Sequence, residues 1–267
     1  MTRHFDTKSL PGFGFITLLC FLMLYLPIAV LVVFAFNAGT SIAIWQGFSL
    51  RWFVSAAQND QVIEASIRSL QIAVVAAGLA TVSATLAALA TTRTKGYRGM
   101  KTKVLLFTVP LMVPEIVTAV ALLIVVARLK VWTGYTGLGY LILSHAAFCV
   151  PFAYMPIRAR LAGMDSTLEA AAMDLYASRW QCFRHITLPL LTPGIIAGFM
   201  LAFVISLDDV VITEFVKSAG QDTLPTYMLG QLRRNITPEI NAISTAFLAL
   251  SVVLIVVFYL VSNRKKT

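Results

Sequence analysis

The chain of 267 residues is 58% hydrophobic and only 12% charged, with a mean hydropathy of +0.82. A soluble domain of this length is about a quarter charged, so most of this surface must meet lipid. The formal charge of +9 then reports which side each loop occupies rather than affinity for nucleic acid, and Cys20, Cys149 and Cys182 have no spacing that suggests a disulfide framework or a zinc knuckle.

Hydropathy divides the chain into six spans, each near the roughly 20 apolar residues that a bilayer core of about 30 Å requires. The first, 12–36, is too long for a signal-peptide core and has no small-residue cleavage site after it, so it reads as a retained helix. The second, 69–92, is rich in Ala, Gly, Ser and Thr, which let membrane helices approach closely. The third, 104–127, carries Pro110 and Pro114, and the fourth, 138–157, carries Pro151 and Pro156. The fifth and sixth cover 194–216 and 243–262. This pattern predicts an all-α membrane protein, a single transmembrane domain over 1–267.

Loop charge sets the orientation. With the N-terminus inside, the inner segments hold Arg3, Lys8, Arg93, Lys95, Arg98, Lys101, Lys103, Arg158, Arg160, Arg179, Arg184, Arg264, Lys265 and Lys266. The opposite face holds half as many, from Arg51 to Arg234. The bias predicts that both termini, and the polar loop 158–190, face the cytoplasm.

That loop is helix-prone from Ser166 to Tyr176, and Ser166 with Glu169 has capping-box spacing. A second short helix is expected over 179–186, closed by Leu188-Pro189 because the residue before proline avoids the helical region. Two such helices either lie on lipid headgroups or dock a soluble partner. The spacing resembles the cytoplasmic "EAA" loop of ABC-importer permeases, which reads Glu-Ala-Ala, three residues, Gly, nine residues, Ile, any residue, Leu-Pro. Ala171, Ala172, Ala177, Ser178, Phe183, Ile186, Leu188 and Pro189 fall into register, with Asp174 between them. Tyr176 stands at the glycine position and Ala170 at the glutamate position, with Glu169 one residue early. In the family this loop contacts the ATP-hydrolysing subunit, so Glu169 is the candidate for the acidic contact, and tyrosine in place of the turn glycine predicts a reshaped turn.

The stretches "WQGFSLRW" (45–52), "SHAAFCVPF" (144–152), "SLDDVVITEF" (206–215) and "TPEINAIST" (237–245), in that order, are similar to the second permease of spermidine/putrescine importers. The resemblance covers essentially the whole chain. It implies the type I importer fold in a bacterial inner membrane, a second permease subunit, two ATPase subunits and an extracytoplasmic solute-binding protein. The solute it implies is a small organic cation such as putrescine or spermidine; relatives for an opine or amino acid derivative are the alternative. It also implies that ATP and magnesium sit on the partner, since this chain has no G-x-x-x-x-G-K-[ST] and binds no cofactor of its own.

Carboxylates within the bilayer must be paired, protonated or turned to water. Glu115 is expected near the middle of the third helix, about 16 Å from its inner end, and Asp208 and Asp209 about 20 Å along the fifth. These three are the candidates to line a cation pathway. Alternatively, Glu115 pairs with a partner-permease Arg or caps a kinked helix, and Asp208-Asp209 caps a short outer helix or meets the binding protein. Glu214 reads as an interfacial residue and His145 as a packing residue rather than a proton relay. Trp45, Phe48 and Trp52 either anchor the interface or dock the binding protein. An intramembrane enzyme needs a nucleophile–base pair or a metal set, and His4, His145 and His185 supply neither. A passive channel has no use for a docking loop.

Overall fold

The computed structural model describes residues 13–41, 44–93, 99–234 and 237–263. Several charges that set the orientation (Arg3, Lys8, Lys95, Arg98, Arg264, Lys265 and Lys266) lie outside the described residues, as does His4. Among the described residues the regular structure is helical: α1 (Phe13–Phe34), α2 (Arg51–Gln58), α3 (Asp60–Thr92), α4 (Met100–Thr108), α5 (Glu115–Thr133), α6 (Gly139–Ala162), α7 (Thr167–Asp174), α8 (Arg179–Cys182), α9 (Leu188–Asp208), α10 (Val211–Val216), α11 (Leu224–Arg234) and α12 (Pro238–Asn263). Among the described residues, six helical segments are long and apolar enough to cross a membrane, as the hydropathy predicts.

Their bounds differ from the expected ones where prolines and polar ends intervene. The second span is 33 residues long because α3 continues back to Asp60 through Gln61, Glu64 and Arg68, which are polar but helix-compatible. The third does not run unbroken over 104–127. Its helix ends at Thr108, a 3₁₀ turn covers Val109–Leu111, and Pro114 enters α5 with φ −53° and ψ 132°, so the crossing segment is Glu115–Thr133. Pro114 removes one N–H and forbids a continued helix through its ring, which is why the break falls there. The fourth extends to Ala162 through Pro151 and Pro156.

The fifth span departs most. Leu188-Pro189 does not terminate a helix: α8, a π-turn over Phe183–Thr187 and α9 form one continuous segment, Arg179–Asp208, of 30 residues. Leu188 N–H reaches back five residues to the Phe183 carbonyl, and that wider turn makes room for the Pro189 ring, which a regular helix would drive into a carbonyl. At its other end the helix stops at Asp208, well short of 216, and α10 starts afresh.

The chain forms two compact units, one holding the stretch up to Asp60 with Gln231–Leu250, the other Gln61–Gly230 with the stretch from Ser251. In the first, buried Asn37 organises the loop after α1. Its amide donates to the carbonyls of Ser41 (3.0 Å) and Ile44 (2.8 Å), and its Oδ1 accepts from the N–H groups of Gly39 (3.3 Å) and Gln46 (2.8 Å). Trp52 Nε1 donates to the Gly39 carbonyl at 3.2 Å, while Phe48 and Trp45 remain exposed. In the second unit, α9 packs along α6. Gly198 permits this, since a Cβ there would sit 2.8 Å from the Ala153 carbonyl and 2.9 Å from Ile157 Cδ1. Thr91 and Tyr154 tie α3 to α6 through a 2.8 Å hydroxyl contact.

Candidate functional site

The polar loop between α6 and α9 is built from its caps. Asp165 Oδ1 accepts the Thr167 N–H at 2.9 Å, and the bonds from Thr167 hold this exposed carboxyl below the usual range. The expected Ser166–Glu169 capping box does not form: Ser166 has helical φ and ψ and no side-chain cap bond. Glu169 instead turns inward, meeting Arg93 Nε at 3.1 Å and accepting the Thr187 hydroxyl at 2.8 Å. Its side chain is 16% exposed, so the one candidate for an acidic partner contact is engaged within the chain.

Helix α7 ends in a Schellman turn. Ala177 N–H donates to the Ala172 carbonyl at 3.1 Å and Tyr176 N–H to the Met173 carbonyl at 3.0 Å. Tyr176 takes the left-handed position with φ +61°, the single positive-φ non-glycine among the described residues. The reshaped turn predicted for tyrosine is therefore absent; the backbone adopts the conformation glycine would, at a cost of about 1 kcal/mol for carrying a Cβ there. The next residue but one, Ser178, caps α8 with a complete capping box: Ser178 N–H to Gln181 Oε1 at 2.8 Å and Gln181 N–H to Ser178 Oγ at 3.3 Å. Of the other sequence candidates, Ala171, Asp174 and Pro189 are exposed, while Phe183, Ile186 and Leu188 are half-buried, with Phe183 tilted against Trp180 at 5.6 Å.

The acidic candidates converge where α5, α6, α9 and α10 meet. Glu115 is the first residue of α5, not a mid-helix residue, and a carboxylate is favoured at that helix N-terminus. It is exposed and lies close enough to Asp208 and Asp209 to feel their charges. Asp208 is the exposed last residue of α9. Asp209 differs sharply, being only 5% exposed. Its Oδ1 accepts the Ile212 N–H at 3.1 Å, and its Oδ2 accepts both the N–H and the hydroxyl of Thr213 at 2.8 Å. Extended backbone at Asp209 stops α9, and its carboxylate caps the start of α10. Of the three, the structure thus gives Asp209 a capping role and leaves Glu115 and Asp208 open.

His145 completes this junction. Buried in α6, it has Nδ1 at 2.8 Å from Ser206 Oγ and Nε2 at 2.9 Å from Thr213 Oγ1, with Asp209 Oδ2 at 3.4 Å. Because the Thr213 hydroxyl hydrogen goes to Asp209, its oxygen accepts from His145. A neutral ring therefore carries its hydrogen on Nε2 and accepts from Ser206 at Nδ1. Sequence reading places His145 among packing residues but misses this network, whose members are 61 and 68 positions apart. Ser, His and Asp lie in one chain of contacts here, yet Ser206 is 3% exposed and His145 1%, leaving no room for a substrate to be attacked. Beyond the junction, Glu214 and Asp222 pair with Lys217 at 2.6 and 2.7 Å. Burial acts to lower the Lys217 pKa, but the two carboxylates outweigh it and raise the value.

A model for binding-protein-dependent transport system inner membrane components matches residues 101–264. The "Putrescine transport system permease protein PotI" of Escherichia coli strain K12 is 36% identical over 255 residues, covering 94% of this chain and 91% of the relative. The "Spermidine/putrescine transport system permease protein PotC" of Haemophilus influenzae is 37% identical over 241 residues, covering 90% and 92%. Among solved structures, a bacterial ABC transporter that imports the acidic polysaccharide alginate superposes with a TM-score of 0.67 at 19% identity, over 93% of this chain and 92% of that one.

Proposed function

We propose, from the premise that this chain belongs to the binding-protein-dependent transport system inner membrane components, that it carries a polyamine such as putrescine or spermidine into the cell. The chain is a multi-pass, non-enzymatic permease subunit of an ABC importer in the bacterial inner membrane. The choice of a cationic solute rests on one observation: Glu115, first in α5, and Asp208, last in α9, are exposed carboxylates at the junction that buries Asp209, and neither forms an ion pair among the described residues. Carboxylates left without an ion pair in a membrane protein need a cation or water opposite them, and a passing amine supplies the charge. The relatives named for putrescine and spermidine support the same choice.

The working assembly under this reading has a second permease subunit, two ATP-hydrolysing subunits and an extracytoplasmic binding protein. ATP and magnesium stay on the ATPase. Both termini and residues 158–190 face the cytoplasm, where Glu169, Tyr176 and their neighbours form the coupling loop. The continuous helical segment Arg179–Asp208 then joins that loop to the pathway acid Asp208, a direct route for a push on the loop to reach the pathway. ATP favours one opening of the pathway only through tighter binding to the ATPase arrangement that goes with it.

Deleting the gene tests this reading. Uptake of labelled putrescine or spermidine by the cells should fall and return with a plasmid copy, while neutral solutes fail to compete. Unchanged polyamine uptake in the deletion strain, with loss of a different solute's uptake, would replace the polyamine by that solute.

A further inference from the structure

We propose that Tyr176 is the side chain by which this permease recognises its own ATPase subunit, a ring held outward by a turn that needs no side chain at all. The proposal rests on reading the α7–α8 loop as the coupling loop. All the hydrogen bonds of the Schellman turn come from backbone groups, Ala177 to Ala172 and Tyr176 to Met173. Glycine would make both without the strain of φ +61°. The tyrosine gives the fold nothing back, because the residue is 98% exposed. Strain that the chain itself does not offset points to a contact outside the chain.

The surroundings fit a protein contact. Leu175 is 82% exposed, Trp180 66%, Met173 50% and Leu168 49%, an apolar set in an otherwise polar loop. Their presentation is fixed in advance: the Glu169 pairing with Arg93 and Thr187 anchors one side of the turn, and the Ser178–Gln181 capping box fixes the other. The hydrocarbon of a bilayer does not reach the Arg179 end of this loop. The continuous helix Arg179–Asp208 has 30 residues, about 45 Å at 1.5 Å per residue. Even with Asp208 at the far edge of a core of about 30 Å, the Arg179 end stands about 15 Å clear of hydrocarbon. The occupant is therefore a soluble domain, the ATPase subunit, offering an apolar pocket for the ring and a polar group for the phenol. Rigid aromatic anchors of this kind dominate protein interfaces.

The test uses the assembled transporter in detergent, with Tyr176→Gly, Tyr176→Ala, Tyr176→Phe and the control pair Leu175→Asp/Trp180→Asp. Tyr176→Gly should raise the apparent Tm of the permease by about 2–4 °C while weakening ATPase-subunit binding about tenfold or more. Tyr176→Ala should weaken binding without the gain in Tm, and Tyr176→Phe should bind within about threefold of the parent. Parental ATPase binding by Tyr176→Gly overturns the proposal; if the control pair still abolishes binding, the coupling-loop reading stands without it. Unchanged binding by the control pair as well removes both. Should Tyr176→Gly alter behaviour only in phosphatidylethanolamine/phosphatidylglycerol vesicles, the ring belongs to lipid headgroups and the proposal falls.

Discussion

Replacing Asp209 by alanine separates the two jobs an acidic residue can have at the α9–α10 junction. The carboxylate is 5% exposed and accepts the Ile212 N–H, the Thr213 N–H and the Thr213 hydroxyl at 3.1, 2.8 and 2.8 Å. Loss of a helix cap costs about 1–2 kcal/mol. Leaving a buried hydroxyl without its charged acceptor adds about 1.5–3 kcal/mol, so the total is about 2.5–5 kcal/mol. For a chain of this size that is about 5–20 °C in apparent Tm, read from tryptophan fluorescence of the purified protein. Asp209→Asn keeps a good capping residue with one oxygen for three donors and should lose about half as much. A Tm for Asp209→Ala within about 2 °C of the parent would refute the capping role, as would a larger loss for asparagine than for alanine. A solute ligand at this position predicts the reverse pattern: both variants abolish uptake and neither moves the Tm.

Further outcomes follow from contacts elsewhere. Glu169→Ala removes the partly buried Arg93 pair and the Thr187 bond, which should cost about 1–3 kcal/mol and loosen ATPase coupling, measured as binding-protein-stimulated hydrolysis. Gly198→Ala places a Cβ 2.8 Å from the Ala153 carbonyl and should lower the Tm by the equivalent of about 1–3 kcal/mol. Gly78→Ala, in α3 with nothing within 4 Å of its Cβ, should leave the Tm unchanged or raise it slightly.

What the sequence could reveal depended on how local the physics was. Six spans followed from hydropathy, because burying about 20 apolar residues in lipid outweighs most other preferences. Prolines were harder to read. Pro114 breaks a helix and puts Glu115 at a new N-terminus, whereas Pro189 is absorbed by a π-turn, and the two are alike as letters. Caps were ambiguous for the same reason: Asp165, adjacent to Ser166, took the bond at the start of α7 and freed Glu169 for Arg93, 76 positions away. The candidate carboxylates were visible as polar letters in apolar runs. Their division of labour was not, since it depends on Thr213 and His145 arriving from α10 and α6 to bury Asp209 alone. At Tyr176 the letter raised the right question, and the backbone answered it with a strained turn.

ATP-driven uptake of labelled putrescine into vesicles holding the complete transporter, with Glu115→Gln/Asp208→Asn beside the parent, tests the central claim most directly. The parent should accumulate putrescine only with ATP inside and binding protein outside. The double variant should transport about tenfold more slowly, the loss of roughly 1.4 kcal/mol of charge interaction, with its Tm and ATPase binding unchanged. Parental uptake by the double variant, or accumulation without ATP, would contradict it.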